Sequence, residues 1–420
     1  MNNTKVLNIN GRTYAWPKQP VVVVCIDGSQ PEYIEEAVAS GQMPFMKEIL
    51  SRGADLRGDC VVPSFTNPNN LSIVTGVPPK VHGISGNFFL DPETGEEVMM
   101  NDPKLLRTGT IFQAFHDAGA KIAIITAKDK LRRLLGHGLD FTSGRAICFS
   151  SEKADETTMA EHGIENAQAM VGRDIPDVYS AELSEFIFDA GVKLMDSMRP
   201  DIMYLSTTDY IQHKHAPGTP VANKFYAMMD SYWSQLDAQG AVLGLTADHG
   251  MNAKFNDAGE PDVIYLQNVL DDKLGTGTAR VILPITDPYV VHHGALGSFA
   301  TAYLEDGSDA PSVVRQLEAI DGIEAAYTNE EGCARYELPN DRMGDIIVVS
   351  TTNKVIGTSP DRHDLSQLKE PLRSHGGACD QQIPVVLSRP IKGVAADRRI
   401  RNFDVFDLAL NHIEWGVTQE

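Results

Sequence analysis

A doubly wound α/β fold with a mostly parallel sheet, interrupted by a smaller inserted α+β unit, is predicted by three observations. Short, wholly apolar runs recur along the chain, helix-like segments alternate with them, and one long stretch of different texture precedes the last apolar run. Apolar runs without polar alternation fit strands buried on both faces, and strand–helix alternation builds a sheet covered on both sides.

The strands are Val21–Ile26, Ala120–Thr126, Ile202–Ser206 and Ala241–Thr246, all read as members of one parallel sheet. Pro31–Arg52, Thr110–Ala118 and Ser180–Ser197 read as helices between them. After Gln381 and Gln382, the run Ile383–Leu387 resumes the parallel sheet and leads into a helix-like Asp404–Ile413. Residues 252–368 are rich in Gly, Asp and Thr, with shorter strand-like pieces at Ser298–Leu304 and Asp345–Ser350. They read as an inserted cap over a site. The expected organisation is therefore a core of residues 1–251 and 369–420 with a cap at 252–368. No internal repeat or low-complexity tract is found.

Hydrophobic residues make up 42% and charged residues 22% of the 420, ordinary for a soluble globular protein. The formal net charge of −21 argues against nucleic acid or an anionic membrane as partner. An anionic substrate would need a local concentration of positive charge, from metal ions or focused lysines. Five scattered cysteines, with no CxxC pair, suggest neither a disulfide framework nor a thiolate zinc site. The polar first twenty residues do not resemble a signal peptide, and no apolar run is long enough for a membrane span. A cytoplasmic enzyme is the expectation. The oligomeric state is left open, with a homodimer allowed.

In open α/β sheets, ligands bind beyond the carboxyl ends of the strands. Three apolar runs end there in an acidic residue: Asp27 after VVVVCI, Asp209 after IMYLSTT, and Asp248 after LGLTA, followed by His249. One such Asp is commonplace as a turn former. Three, accompanied by histidines, are not. Asp209 and His213 stand four apart, which on a helix places both on one face. Asp248 and His249 are adjacent and converge only if the chain turns, which Gly250 permits. His375, in SHGG, stands just before the late strand. Nitrogen and carboxylate ligands without thiolates suit zinc, or less selectively manganese or iron. Asp27, Asp209, His213, Asp248, His249 and His375 suffice for two ions with three protein ligands each.

Thr66 precedes Asn67, read as an N-cap, and Pro68, which suits a first helical position. A hydroxyl at a helix start meets free N–H groups and a dipole that favour a phosphate or an alkoxide. Metal binding to its oxygen would activate it as a nucleophile.

Together, Asp27, SFTNPNNLSIVTGVPPKVHGISGN, TTDYIQHKH, TADHGM and SHGG resemble the alkaline phosphatase superfamily. The likeness is nearest to the nucleotide pyrophosphatase/phosphodiesterase branch and its relatives, the phosphonoacetate hydrolases. The resemblance implies one Zn²⁺ held by Asp27, Asp248 and His249 with Thr66 bound to it, and a second held by Asp209, His213 and His375. It also implies a doubly wound sheet with a capping insertion. The phosphodiesterase branch typically follows its Thr with Phe-Pro-Asn-His; here Asn67-Pro68-Asn69-Asn70 follows instead. No CxPSR-type sulfatase motif is present, and Thr66 occupies the slot of a serine nucleophile.

Lys128 and Lys130 follow an apolar strand in TAKDKLRR, and two residues apart on an extended segment they face the same way. The resemblance implies that this lysine pair, with Asn87, Thr66 and His213, holds the substrate. That substrate is expected to be small and anionic: phosphonoacetate, cleaved at its carbon–phosphorus bond through a phosphothreonine intermediate. The rivals are a phosphodiesterase or nucleotide pyrophosphatase on the same site, which wants an aromatic slot the sequence does not reveal, and a non-catalytic metal or phosphate binder. His292 and His293, in the insert, are expected to be structural, and His82 to brace the loop after the nucleophile's helix.

Overall fold

The structure is a computed structural model that describes residues 5–285, 295–305, 307–366 and 368–415. In chain order the strands that matter here are β1 (Val21–Cys25), β2 (Ala54–Asp59), β3 (Ile122–Thr126), β4 (Ala146–Ser150), β5 (Ile202–Ser206) and β6 (Val242–Thr246). Then come β7 (Ala279–Ile282), β8 (Phe299–Leu304), β9 (Ile323–Thr328), β10 (Ile346–Ser350) and β11 (Gln382–Leu387). The helices used below are α1 (Pro31–Ala39), α2 (Pro44–Arg52), α3 (Thr66–Thr75), α4 (Ile111–Asp117), α5 (Asp129–Leu135), α6 (Glu182–Ser197), α7 (Tyr210–Lys214) and α8 (Pro220–Ala238).

The central sheet has seven strands in the order β2-β11-β6-β1-β5-β3-β4. Alternate residues of each buried strand feed opposite layers. Val22 and Val24 pack among α1, α2, α6 and α8, while Val21 and Val23 pack among α3, α4 and α5. Each fully buried Val, Ile or Leu contributes about 1.5–3 kcal/mol by leaving water. The expected α/β class, doubly wound and mostly parallel with a smaller α+β part, is what the chain adopts. The second sheet, β7-β8-β10-β9, is antiparallel throughout and carries its own apolar core around Phe299 and Ile347.

One strand departs from the expected parallel set. β11 runs antiparallel to both its neighbours, β6 and β2. The reason is topological: β6 delivers the chain to the site's edge of the sheet, the intervening segment lies beyond that edge, and the chain must re-enter from there. His375 accordingly precedes its strand, whereas the other ligands follow theirs. The two edge strands escaped the sequence reading. β2, ADLRGD, is charged, as edge strands tolerate, with Arg57 paired to Glu35 and Asp59 to Arg399; β4 is short and mixes Cys and Ser with its apolar residues.

Pro31–Arg52 is two helices, not one. Gly41 takes a left-handed φ of 76° and Pro44 starts the second helix. The segment Asp404–Ile413 winds as 3₁₀, α and π turns in succession. All five cysteines are free. Among the described residues no helix is long and apolar enough to cross a membrane. His292 and His293 lie outside the described residues.

Candidate active site

The site begins with strand register. Cys25 of β1 pairs with Ser206 of β5 and Thr246 of β6, and Ser206 pairs with Thr126 of β3, so four parallel strands end in line. The residues that follow, Asp27, Asp209, Asp248–His249 and Lys128, therefore leave the sheet at one edge.

Asp209 is the N-cap of α7, and His213 lies one turn on, its Nε2 2.8 Å from Asp209 Oδ2. His375 Nε2 lies 3.9 Å from the same oxygen. Beside this trio, His249 Nε2 is 3.3 Å from Asp27 Oδ1 and 3.9 Å from Asp248 Oδ2. In each trio the donor atoms all lie within 4.8 Å of one another, and all six residues are buried. The trios adjoin: the rings of His249 and His375 stack with centroids 3.6 Å apart. Asp248 and His249 converge because β6 has already ended at Thr246. Gly250 lies against the backbone carbonyl of Asp380, which accepts its N–H at 2.7 Å.

Each histidine's Nδ1 faces a backbone carbonyl: Arg373 O at 2.8 Å for His213, Gly250 O at 2.8 Å for His249, and Ser64 O at 2.6 Å for His375. A carbonyl only accepts, so Nδ1 carries the proton and the Nε2 lone pair turns inward, the arrangement that orients metal-binding imidazoles. Asp27 Oδ1 and His249 Nε2 are buried without a hydrogen-bond partner, although 3.3 Å apart. Two orphaned lone pairs facing one point fit a bound cation. The electrostatics agree. Burial pushes the Asp27 carboxyl well above its ordinary range, and the charges of Asp209 and Asp248 push it further. Burial also raises Asp248. For Asp209, burial is outweighed by His213 and then Lys128, and its carboxyl is held well below the usual range. Three buried carboxylates within one pocket need more positive charge than two or three imidazoles supply.

Thr66 is the first residue of α3, with Phe65 rather than Asn67 at the N-cap. The loop before it is held by Asn69, whose Nδ2 donates to Val61 O, Pro63 O and Phe65 O at 3.1–3.3 Å while its Oδ1 accepts from Val61 N at 2.7 Å. The loop from Val61 to Phe65 is thus fixed by a side chain within the helix, which explains why a cap pattern alone misplaced the start by two residues.

Thr66, Asn87, Lys128, Lys130, Asp27, Asp209 and His375 line one cavity of about 90 Å³. The two lysines reach it by a route other than the one expected: Lys128 is the N-cap of α5 and Lys130 lies in its first turn, not on an extended segment. Asn87 Oδ1 accepts the backbone N–H of Asn67 at 3.3 Å, so its amide N–H group is the donor that remains for an anion in the cavity. Among the expected substrate contacts, His213 is not on this wall; it lines a separate cavity of about 210 Å³. Asn67, Met99, Asn101, Ala127, Leu131, Thr207 and Ile285 complete the wall, and the sequence singled out none of them as a contact. Only Thr207, directly after a strand of the ligand series, carried a signal that had been passed over.

A model of the type I phosphodiesterase/nucleotide pyrophosphatase family matches residues 21–378. The chain belongs to this family. It is an enzyme of the alkaline phosphatase superfamily, which is metal-dependent. Two structures of phosphonoacetate hydrolase from Sinorhizobium meliloti 1021, in complex with phosphonoformate and with phosphonoacetate, are 59% and 58% identical to it. Each covers 97% of this chain and 99% of that one, with a TM-score of 0.95. Murine ectonucleotide pyrophosphatase/phosphodiesterase 5, at 18% identity and a TM-score of 0.62 over 95% of this chain and 96% of that one, shares the fold. A Schizosaccharomyces pombe pyrophosphatase/phosphodiesterase is 30% identical over 115 residues, 27% of this chain and 22% of that protein. The alignment thus spans less than a quarter of that curated relative.

Proposed function

We propose that this enzyme hydrolyses the carbon–phosphorus bond of phosphonoacetate, with Thr66 as nucleophile and two zinc ions as cofactors. One observation carries the reading: a cavity small enough for a two-carbon phosphonate is lined at once by Thr66, by Asp27, Asp209 and His375 of the Asp/His trios, and by Lys128, Lys130 and Asn87. Its 59% identity to a phosphonoacetate hydrolase supports the same substrate. The residues fit the cations: Asp27, Asp248 and His249 would hold one, with Thr66 beside it, and Asp209, His213 and His375 the other. Two zinc ions there would neutralise phosphonyl oxygens and lower the pKa of a hydroxyl or a water. Manganese or iron are substitutes the same donors accept.

Thr66 Oγ, presented at the start of α3, attacks phosphorus while the helix dipole favours the anion it approaches. Carbon leaves with its electron pair, which passes onto the substrate's carboxylate as an enolate-like charge. Lys128 and Lys130 face that end and stabilise the charge as it develops; Asn87 donates to an anionic oxygen. The Thr66 hydroxyl gives up its proton to solvent as it attacks, carbon takes one from solvent to complete acetate, and water then hydrolyses the phosphothreonine to phosphate and free Thr66. In this reading residues 252–368 serve as a cap, contributing Ile285 to the wall.

The test is phosphate release from phosphonoacetate against methylphosphonate, which lacks the carboxylate. Only the first is expected to turn over; equal rates on both would overturn the mechanism. Thr66→Ala is expected to lower kcat at least about 10³-fold with zinc still bound, whereas a mere binder of phosphate or metal would be unaffected.

A second reading, phosphodiester hydrolysis, is favoured by the outer cavity of about 890 Å³ that shares Asn101, Lys128 and Lys130 with the inner one and adds Tyr179 and Tyr210. This supplies the aromatic wall the sequence did not reveal. Nitrophenol release from bis-nitrophenyl phosphate faster than phosphate release from phosphonoacetate would favour it.

A further inference from the structure

Asn70 lies on α3, one turn beyond Thr66, and is fully buried. Its Nδ2 donates to Asp248 Oδ2 at 3.1 Å and to the backbone carbonyl of Thr66 at 3.1 Å. Its Oδ1 accepts from Tyr204 Oη at 2.7 Å and from Ser206 Oγ at 3.2 Å, both on β5. A primary amide has two N–H donors and two acceptor lone pairs, so its capacity is fully used. The orientation is forced: a carboxylate and a carbonyl only accept, so the NH₂ end must face Asp248 and Thr66. Asp248 is fixed from its other side as well, where Oδ1 accepts from Gly28 N at 3.3 Å and His249 N at 3.0 Å.

We propose that Asn70 is a positioning residue that couples the nucleophile to the first metal site, tying the residue that bears the attacking hydroxyl to the carboxylate that would hold the ion. The proposal rests on the metal assignment made above. No other common side chain fits the four partners. Aspartate would set a second carboxylate against Asp248, leucine would strand the Tyr204 and Ser206 hydroxyls, and alanine would leave a hole and an unpaired carboxylate oxygen. The substitution at this position relative to the phosphodiesterase-type Thr-Phe-Pro-Asn-His pattern thus has a function in this chain. Substrate capture, assigned above to Lys128, Lys130 and Asn87, is expected to be independent of Asn70.

Asn70→Ala, Tyr204→Phe and Thr75→Ala separate the possibilities. Zinc affinity is measured by competition with a chromogenic chelator, and kcat and KM for phosphonoacetate are measured at saturating zinc. Asn70→Ala is expected to weaken one of two zinc ions by about 10–100-fold and to lower kcat about 10-fold or more, with KM within about threefold of the parent. Tyr204→Phe, which keeps the ring and removes only the hydroxyl on Asn70, is expected to shift both quantities in the same direction by less. It carries the test if Asn70→Ala does not fold. Thr75→Ala, equally buried at the far end of the same helix, where its hydroxyl donates to the Leu71 carbonyl, is expected to lower thermal stability while both zinc affinities stay parental. Parental zinc affinity in the folded Asn70→Ala or Tyr204→Phe protein, or a rise in KM alone, overturns the proposal. A parent protein that takes up no zinc overturns instead the metal assignment beneath it.

Discussion

His82 makes both its bonds to the support of the nucleophile's helix. Ile84 N donates to Nδ1 at 3.1 Å, so Nε2 carries the proton and donates to Ser72 Oγ at 2.9 Å, and Ser72 donates onward to Pro68 O. Burial pushes its pKa down to about 3. The unfolded chain takes up a proton near pH 6.5 and the folded one does not, so this group's share of stability is present above that value. It is lost as pH falls towards 3. Between pH 7 and pH 5 the loss amounts to about 2 kcal/mol. His82→Gln should therefore lose less stability on acidification than the parent, as read by urea unfolding at the two pH values; parallel losses would refute the neutral tautomer. Lys128→Met belongs to the same scale. It removes one charge from the cavity wall and is expected to raise KM for phosphonoacetate about 10–100-fold, in steady-state kinetics. The two Asp/His trios were legible in the sequence because strand, acid and spacing coincide. Asn70 was not legible, since nothing in a local pattern says that an amide will bond across to residues 204, 206 and 248.

At the scale of elements, what the sequence conveyed was the position of apolar strands, and what it missed depended on partners. β1, β5 and β6 were readable because they are buried on both faces; β2 was not, because an edge strand is free to carry Asp and Arg. Lys128 and Lys130 converge through the first turn of α5, whose N–H at Asp129 is taken by Glu152, a residue 23 positions away. No two-residue periodicity encodes that. The far end of α3 offers a prediction. Gly76 closes the helix at a φ of 71°, and a Cβ there would collide with the Tyr14 hydroxyl. Gly76→Ala is expected to cost about 2–4 kcal/mol, from the left-handed backbone and the overpacking together, measurable by calorimetry, with little change in KM.

For the whole molecule, the site is the place where four strand ends and the returning chain meet, and its buried carboxylates make it a source of instability when no cation is present. Removal of metal by a chelator is expected to lower the thermal midpoint by at least about 5 °C, with recovery on adding zinc. An unchanged midpoint would argue that the two trios hold no ion that matters to folding. The −21 charge of the chain is thereby reconciled with an anionic substrate: attraction is confined to a cavity of about 90 Å³.

The position of β11 also bears on how the protein is made. Among the described residues it is the last strand in chain order, yet it lies between β2 and β6, both of which precede it by more than a hundred residues. A nascent chain leaving the ribosome must keep a vacant groove between those two strands until residues 382–387 emerge, and His375 arrives only with them. The two Asp/His trios are therefore completed only after residue 375 has been made, and a chaperone that guards exposed strand edges is expected to find its target in the unfilled groove.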